Sequence, residues 1–187
     1  YVTLFLAGRG ALDVDGVAVS LRQDTRYPWD GRVRIAVDPA RPAELALRVR
    51  VPGWAQGRPV PSDLYRYADG ATPPWSVRVN GQAATPTLDK GFAVLRRTWK
   101  KGDVVELDLP MPVRRVLSHD KVAANAGRVA LERGPVVYSA EAVDNGGRVF
   151  NLVLPDDAAL EPRERPDLLG GVTVLAGRAI ALSPSDD

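Results

Sequence analysis

The chain contains no cysteine, one methionine and one histidine, His119, among its 187 residues. Without a thiol it has no thiolate nucleophile, no cysteine metal ligand and no disulfide. A serine–histidine–acid triad would have to be built around His119, which lies in the polar stretch 118–121 and is expected to be a solvated loop side chain. We therefore predict no catalytic residue, no cofactor-binding residue and no metal ligand in this chain. The first residue is Tyr1 rather than methionine, so we expect a piece of a longer protein.

Long apolar runs and clustered charge are also missing. No stretch of roughly 18 residues is continuously apolar, so the sequence predicts no transmembrane helix, and no segment resembles a signal peptide. The 25 basic residues exceed the 23 acidic ones by only 2, and the arginines are scattered. Because phosphate binding needs clustered positive charge, we expect neither nucleic acid nor a membrane as a partner. The absence of cysteine does not identify the compartment in which the protein works.

Apolar residues alternate with small or polar ones over much of the chain. Alternation places one side chain in a core and the next in water, which is typical of antiparallel sheets. Asn80-Gly81 follows two alternating valines and predicts a tight hairpin turn, since both central positions need positive φ. The fold class that we predict is all-β, with two antiparallel β-sandwich domains. The alternating segments are 17–21, 33–37, 45–51, 105–109 and 172–174.

Proline and glycine divide these segments. The polar, proline-rich stretch 57–74 predicts a long surface loop, and 156–171 is the best candidate for a short helix, limited to a turn or two by its two prolines. The alternating pattern is interrupted at 109–112, where two prolines flank the methionine and exclude a central strand. We therefore predict one sandwich over residues 1–112 and a second over 113–187, whose completeness the sequence leaves open.

Short motifs follow one another in a fixed order over roughly residues 1–150. They are QDTRYPWDG at 23–31, LRVRVPGWA at 47–55, VNG at 79–81, GF at 91–92, RTW at 97–99, KGD at 101–103, LDLPM at 107–111 and VALERGPVVY at 129–138, followed by Glu141 and Asp144-Asn145. Each motif is weak by itself. Their order and spacing resemble the region that follows the catalytic domain in glycoside hydrolase family 127, the β-L-arabinofuranosidase family.

This resemblance implies a parent protein of three parts, an (α/α)6-barrel catalytic domain followed by two β-sandwich domains. The cysteine nucleophile proposed for the family, its zinc ligands and its glutamate acid/base cannot be carried onto this chain, which has no cysteine. On this resemblance any zinc belongs to the catalytic domain of the parent. The expected partners are that barrel of the same chain, a carbohydrate substrate bound through the parent, and a second copy in a homodimer.

The four tryptophans are the first candidates for contact with a sugar. Large aromatic side chains usually pack in cores while keeping the indole N–H near water, and we favour this interpretation for Trp29, Trp54 and Trp99. Trp75 follows two prolines in the loop and is expected to be exposed. An exposed indole could offer a flat apolar face to a sugar ring, so Trp75 is a candidate sugar contact.

Three carboxylates near the turn 145–147 are the second set of candidates. A glycosidase needs two carboxyl groups roughly 5–9 Å apart, and Glu132, Glu141 and Asp144 lie close in sequence. The structural alternative pairs Glu132 with an arginine and has Asp144 support the turn. We single out Glu141 and Asp144, with Trp75, as candidate sugar contacts, expect one of the carboxylates to contribute to the rim of the parent's active site, and single out no residue as catalytic.

The sequence thus predicts a non-catalytic accessory region of a glycoside hydrolase, which braces the barrel and mediates dimerisation. The alternative is a carbohydrate-binding module that uses exposed tryptophans. The bracing hypothesis predicts an apolar patch on this chain that the barrel would cover.

Overall fold

The computed structural model describes residues 1–183, and in this range it contains strands and three short 3-10 turns but no α-helix. The predicted all-β class is therefore confirmed. The strands are β1 (Gly8–Val14), β2 (Val17–Thr25), β3 (Arg32–Pro39), β4 (Ala43–Arg50), β5 (Tyr65–Tyr67), β6 (Ser76–Val79), β7 (Gln82–Ala84), β8 (Thr87–Asp89), β9 (Phe92–Trp99), β10 (Asp103–Asp108), β11 (Val113–Ser118), β12 (Ala130–Arg133), β13 (Val136–Tyr138), β14 (Leu152–Val153), β15 (Leu160–Arg165), β16 (Val172–Gly177) and β17 (Ile180–Ala181). The 3-10 turns are Trp54–Gln56, Ala123–Asn125 and Ala142–Asp144.

The first sandwich consists of a six-stranded sheet, in the order β1-β2-β3-β10-β6-β7, and a three-stranded sheet, in the order β4-β9-β8. All pairings between these strands are antiparallel. Alternate residues of the facing strands point into one hydrophobic core, so that Ile35 and Trp99 are each 0% exposed and Leu107 is 1% exposed. This burial of one face of each sheet is what the alternating pattern predicts.

The hairpin between β6 and β7 turns at Asn80-Gly81, as predicted. Both residues have positive φ, 53° and 75°, and Val79 pairs with Gln82. Asp103 lies at the start of β10 and is 8% exposed. Its side chain connects the Asn80-Gly81 turn to the turn between β9 and β10. Its carboxylate accepts hydrogen bonds from the Lys100 N–H at 2.8 Å and from the Asn80 side-chain amide at 2.9 Å.

Asp103 should contribute acid-sensitive stability to the first sandwich. Burial alone would raise the pKa of Asp103, but the hydrogen bonds from Lys100 and Asn80 outweigh burial and hold the pKa below its usual 3.8. A lowered folded-state pKa adds stability above the unfolded-state pKa, and this stability is lost as the pH falls through the folded-state pKa. The free energy of unfolding in urea should differ less between pH 7 and pH 3 for Asp103→Asn than for the unchanged chain.

The cost of Asp103→Asn at pH 7 should be about 1–3 kcal/mol, because the Lys100 N–H loses a charged acceptor. Glu106→Gln on the same strand is the matched control, since Glu106 is exposed. Equal pH differences for Asp103→Asn and for the unchanged chain would rule out this role of Asp103.

The remaining strands form a four-stranded sheet, in the order β13-β12-β11-β5, and the two-stranded sheets β14-β17 and β15-β16. Strand β5 comes from the stretch 57–74, for which the sequence predicted only a surface loop. That prediction is wrong in its middle part, because Tyr65 and Tyr67 alternate along an extended segment that pairs with β11, and Tyr67 is 4% exposed. We call the segment 57–74 the strap.

The predicted short helix in 156–171 is also wrong. The chain forms strand β15 there, and β15 pairs with β16 along its whole length, from Leu160 opposite Gly177 to Arg165 opposite Val172. Pairing with the β-branched run in β16 decides the conformation, because a proline inside a helix removes a hydrogen bond and clashes with the preceding turn. The division of the chain at residue 112 stays a prediction.

Candidate functional site

The three predicted sugar-contact residues lie in two different parts of the chain. Trp75, just before β6, is half-buried and packs against the first core, which contains no residue beyond Leu109 among those described. Glu141 and Asp144 are exposed at the 3-10 turn Ala142–Asp144, where the Asp144 N–H donates to the Glu141 carbonyl at 3.2 Å. The structure brings the two carboxylate residues onto one turn but does not bring Trp75 to them. Their contact with a sugar stays a prediction.

The expectation that Trp75 is exposed is wrong. The chain passes from the two prolines directly into β6, whose Val77 is 2% exposed, and the Trp75 indole covers the adjacent edge of the core. Trp99 is fully buried and Trp54 packs against the same core, as predicted. Trp29 is half-buried, so within residues 1–183 no tryptophan is an exposed platform.

The most unusual polar group is a buried cluster of charged side chains in the four-stranded sheet. Arg114 of β11 and Glu132 of β12 are directly opposite each other and are 5% and 6% exposed. The Tyr67 hydroxyl of β5 donates to the Glu132 carboxylate at 2.5 Å, and the Arg114 guanidinium lies over the Tyr67 ring, 3.3 Å from its centre. One Arg114 nitrogen donates to the Asp69 carboxylate and to the Ala71 carbonyl, each at 2.5 Å.

The electrostatics of this cluster indicate a structural role. Burial raises the pKa of Glu132, although the Tyr67 hydroxyl and the Arg114 charge pull it down, and burial also raises the pKa of Tyr67. The hydrogen bond from Arg114 lowers the pKa of Asp69. A glycosidase mechanism needs two carboxyl groups that both reach the substrate, whereas Glu132 is enclosed and its carboxylate is held by a tyrosine. The cluster therefore holds the strap against β11 and β12.

Glu132 is a candidate from the sequence, whereas the sequence alone does not single out Tyr67 and Arg114. The signal that could have indicated Tyr67 is the alternation of Tyr65 and Tyr67 within the otherwise polar strap. No local pattern shows that Arg114 rather than Arg115 faces inward, since both interrupt the same apolar strand. In the structure Arg115 donates to the Pro155 and Ala158 carbonyls on the other side of the sheet.

The N-terminal segment forms an apolar surface, which we call the N-terminal face and define by Tyr1, Leu4, Leu6 and Leu12. The segment is fixed beside β4, because the Val2 N–H donates to the Arg48 carbonyl at 2.7 Å and the Arg50 N–H donates to the Val2 carbonyl at 2.9 Å. Val2 and Phe5 point into the first core and are 5% and 4% exposed. Tyr1, Leu4 and Leu6, by contrast, are 75%, 68% and 66% exposed.

The N-terminal face is continuous with β1. Leu12 of this strand is 43% exposed, and it lines the same shallow depression as Tyr1, Leu4 and Leu6. Strand β1 is the edge of the six-stranded sheet, and every residue except its last is exposed. Scattered exposed leucines are ordinary, but a contiguous apolar patch beside an open sheet edge is typical of an interaction surface.

Over residues 1–183, no three histidine, aspartate or glutamate side chains lie close enough together to hold a metal ion. In the same range, no helix has the length and apolarity that crossing a membrane requires. His119 is exposed, as predicted, and its ring Nδ1 accepts a hydrogen bond from the Lys121 N–H at 3.0 Å.

Within residues 1–183 the chain is thus a β-sandwich region with an exposed apolar face and with the Glu132 carboxylate enclosed by protein. Comparison with known proteins agrees with this β-sandwich class and specifies it. The model of the β-L-arabinofuranosidase GH127 middle domain matches residues 1–111, and the model of the glycoside hydrolase family 127 C-terminal domain matches residues 113–180. The chain therefore belongs to glycoside hydrolase family 127.

Individual relatives support this assignment. The chain is 34% identical over 179 residues to a non-reducing end β-L-arabinofuranosidase of Bifidobacterium longum, with 90% of this chain and 24% of the relative covered. A solved GH127 β-arabinofuranosidase is 39% identical with a TM-score of 0.93, covering 100% of this chain and 29% of that one. A GH127 β-L-arabinofuranosidase from Geobacillus stearothermophilus is 41% identical with a TM-score of 0.85, covering 98% and 27%. The chain thus spans about a quarter of the length of the relatives that it matches.

Proposed function

We propose that this chain is the non-catalytic accessory region of a β-L-arabinofuranosidase-like hydrolase, and that it braces the catalytic domain through the N-terminal face. The observation that carries the proposal is the exposure of Tyr1, Leu4 and Leu6 on a segment whose other side chains, Val2 and Phe5, are anchored in the core. An anchored segment presents its apolar side chains in fixed positions, which lowers the entropic cost of docking.

Two further observations support the N-terminal domain of the same protein as the occupant of this face. The family models that match are those of a middle and a C-terminal domain, and the matched relatives are about four times as long as this chain. A covered β1 would have its free edge protected from pairing with other chains.

The isolated 187-residue chain should therefore self-associate, and substitutions at the N-terminal face should reduce this self-association. We expect the chain to bind a hydrophobic dye and to self-associate in sedimentation velocity, because the apolar patch is uncovered. The double change Leu4→Ser and Leu6→Ser should lower dye fluorescence several-fold and shift the chain toward monomer. The two side chains are exposed, so the thermal midpoint should change little.

The matched control is Val143→Ser, which removes an apolar side chain of similar exposure, 82%, that is distant in sequence and does not line the depression formed by the N-terminal face. This variant should self-associate and bind dye like the unchanged chain. A monodisperse monomer without dye binding, or an equal effect of Val143→Ser, would contradict the proposal. A homodimer formed by the complete protein through this same face would contradict it as well.

For the complete protein we propose hydrolysis of β-L-arabinofuranosides, the activity named for its relatives. The test is hydrolysis of an aryl β-L-arabinofuranoside by the complete gene product, with the 187-residue chain as the inactive comparison. The alternative of a carbohydrate-binding module that uses exposed tryptophans loses its basis, since no tryptophan in residues 1–183 is an exposed side chain.

A further inference from the structure

A cleft lies where the first sandwich meets the hairpin of β15 and β16. The segment after β2 contributes Arg26, Tyr27 and Trp29, and the hairpin contributes Glu164 and Thr173. The cleft encloses about 400 Å³. Sites for small molecules usually enclose about 300–1,000 Å³, so this cleft has room for about one or two sugar units.

The aromatic wall of the cleft is held by a ring contact of Tyr27 and by backbone hydrogen bonds of Trp29. Tyr27 packs edge-on against the buried Phe5, with ring centres 5.3 Å apart. The Trp29 backbone N–H donates to the Arg26 carbonyl at 2.9 Å, and the Trp29 backbone carbonyl accepts from the Arg133 guanidinium at 2.9 Å. Trp29 is half-buried and, unlike Trp54 and Trp75, is not packed against the first core. The backbone that carries the indole is therefore held at the cleft, and binding does not have to order this part of the chain.

The polar wall of the cleft carries paired charges. Arg26 and Glu164 form an ion pair with 2.8 Å between nitrogen and oxygen, and their side chains are 64% and 69% exposed. Thr173, from β16, adds a hydroxyl-bearing side chain that is 6% exposed. A paired guanidinium and carboxylate can donate to and accept from neighbouring hydroxyl groups, while their charges cancel. Both arginines that line the cleft have a carboxylate partner, Glu164 for Arg26 and Asp167 for Arg165, so the cleft has no strong net positive charge for an anion such as phosphate and favours an uncharged ligand.

We propose that this cleft binds a neutral saccharide, with the Trp29 indole against the apolar face of a sugar ring and the Arg26–Glu164 pair hydrogen-bonded to its hydroxyl groups. The inference rests on the proposed function, since it gives the accessory region a saccharide contact of its own. A half-buried indole in a cleft replaces the exposed platform that the sequence analysis considered. Paired polar groups beside an aromatic face are what recognition of a polyol requires.

The test is a titration of the whole chain with an arabinose-containing disaccharide, followed by saturation-transfer NMR and by tryptophan fluorescence. We expect saturable binding. Trp29→Ala should weaken it about tenfold, which corresponds to about 1.4 kcal/mol, because the sugar ring loses the apolar surface of the indole. Glu164→Gln should weaken it about threefold or more, because a hydroxyl loses a charged acceptor.

The hairpin supplies a matched control for Glu164→Gln. Glu161 pairs with Arg163 on the same strand, with side chains 69% and 66% exposed, and neither residue lines the cleft. Glu161→Gln should leave the saccharide affinity unchanged. Thermal melting will show whether Trp29→Ala is folded, and Glu164→Gln tests the cleft independently of that variant.

No saturable binding, or equal affinities for Glu164→Gln and Glu161→Gln in a chain that does bind, would overturn the proposal. Saccharide binding that is lost in Leu4→Ser with Leu6→Ser but kept in Trp29→Ala would place the saccharide elsewhere and overturn it too. The dye and sedimentation measurements on the N-terminal face do not involve the cleft. The two proposals can therefore fail separately.

Discussion

A polypeptide of residues 113–187 alone should fail to form the four-stranded sheet, whereas residues 1–112 should fold by themselves. The fragment 113–187 lacks β5 and with it Tyr67, while the stretch 1–112 retains every member of the first core. The fragment also loses two backbone hydrogen bonds to β11, from Ala68 N–H to Arg115 carbonyl at 2.9 Å and from His119 N–H to Leu64 carbonyl at 2.7 Å. Proton–nitrogen NMR spectra should be dispersed for 1–112 and collapsed for 113–187.

The expected result follows from how little apolar surface the fragment 113–187 buries. Beyond residue 112, only Val116 is a buried apolar side chain, against three buried polar ones, Arg114, Glu132 and Thr173, in the part of the chain that the structure describes. Without Tyr67 and Asp69, the charges of Arg114 and Glu132 lose the partners that make their burial tolerable. Small domains are marginal even with an apolar core.

A synthetic peptide of residues 57–74 allows the same prediction to be tested by restoring the missing strand. Added in excess to 113–187, it should restore part of the NMR dispersion, and the same peptide with Tyr67→Ala should not. A dispersed spectrum for 113–187 alone would contradict the prediction, because the strap would then be dispensable for the second sheet.

Arg114→Ala should destabilise the whole chain by about 3–5 kcal/mol, since it leaves the buried Glu132 carboxylate without its opposing charge. Chemical unfolding by urea measures this cost, and the loss should appear in the transition of the second sheet. Arg66→Ala is the matched control, because Arg66 is an exposed arginine on the adjacent strand β5. Its cost should stay within about 0.5 kcal/mol.

The double variant Arg114→Met with Glu132→Leu separates a charge effect from a packing effect. Replacing both buried charges by apolar side chains of similar volume is often neutral or stabilising, so the double variant should be more stable than Arg114→Ala. A cost below about 1 kcal/mol for Arg114→Ala, or a double variant less stable than the single one, would show that the cluster does not hold the strap in place.

The sequence predicts the first sandwich well because local rules determine it. Val33, Ile35 and Val37 alternate on β3, and the structure buries all three. Asn80-Gly81 satisfies a steric requirement that involves only the turn itself, so it can be recognised without knowledge of the rest of the chain. The same alternation cannot show which strands are neighbours, and the placement of β10 between β3 and β6 comes only from the structure.

The strap and the hairpin of β15 and β16 could not be predicted because distant partners determine them. The prolines and polar residues around Tyr65 and Tyr67 are typical of a loop, and only the pairing with β11, about 50 residues further along the chain, makes the segment a strand. Pro162 disfavours a helix, but it is compatible with an edge strand, and both strands of a two-stranded sheet are edge strands. The cleft could not be predicted for the same reason, because Trp29 and Glu164 both line it although more than 100 residues of sequence separate them.

The strap also limits how this region can be recombined. A chimaera cut at residue 112, between the two family matches, would pair one parent's strap with the other parent's β11 and β12. Tyr67 and Asp69 would then come from one protein and Arg114 and Glu132 from another, so both parents must agree at these four positions. In family 127 the two sandwich domains should therefore be inherited together as one unit, and exchange of the second domain should succeed only when the strap is exchanged with it.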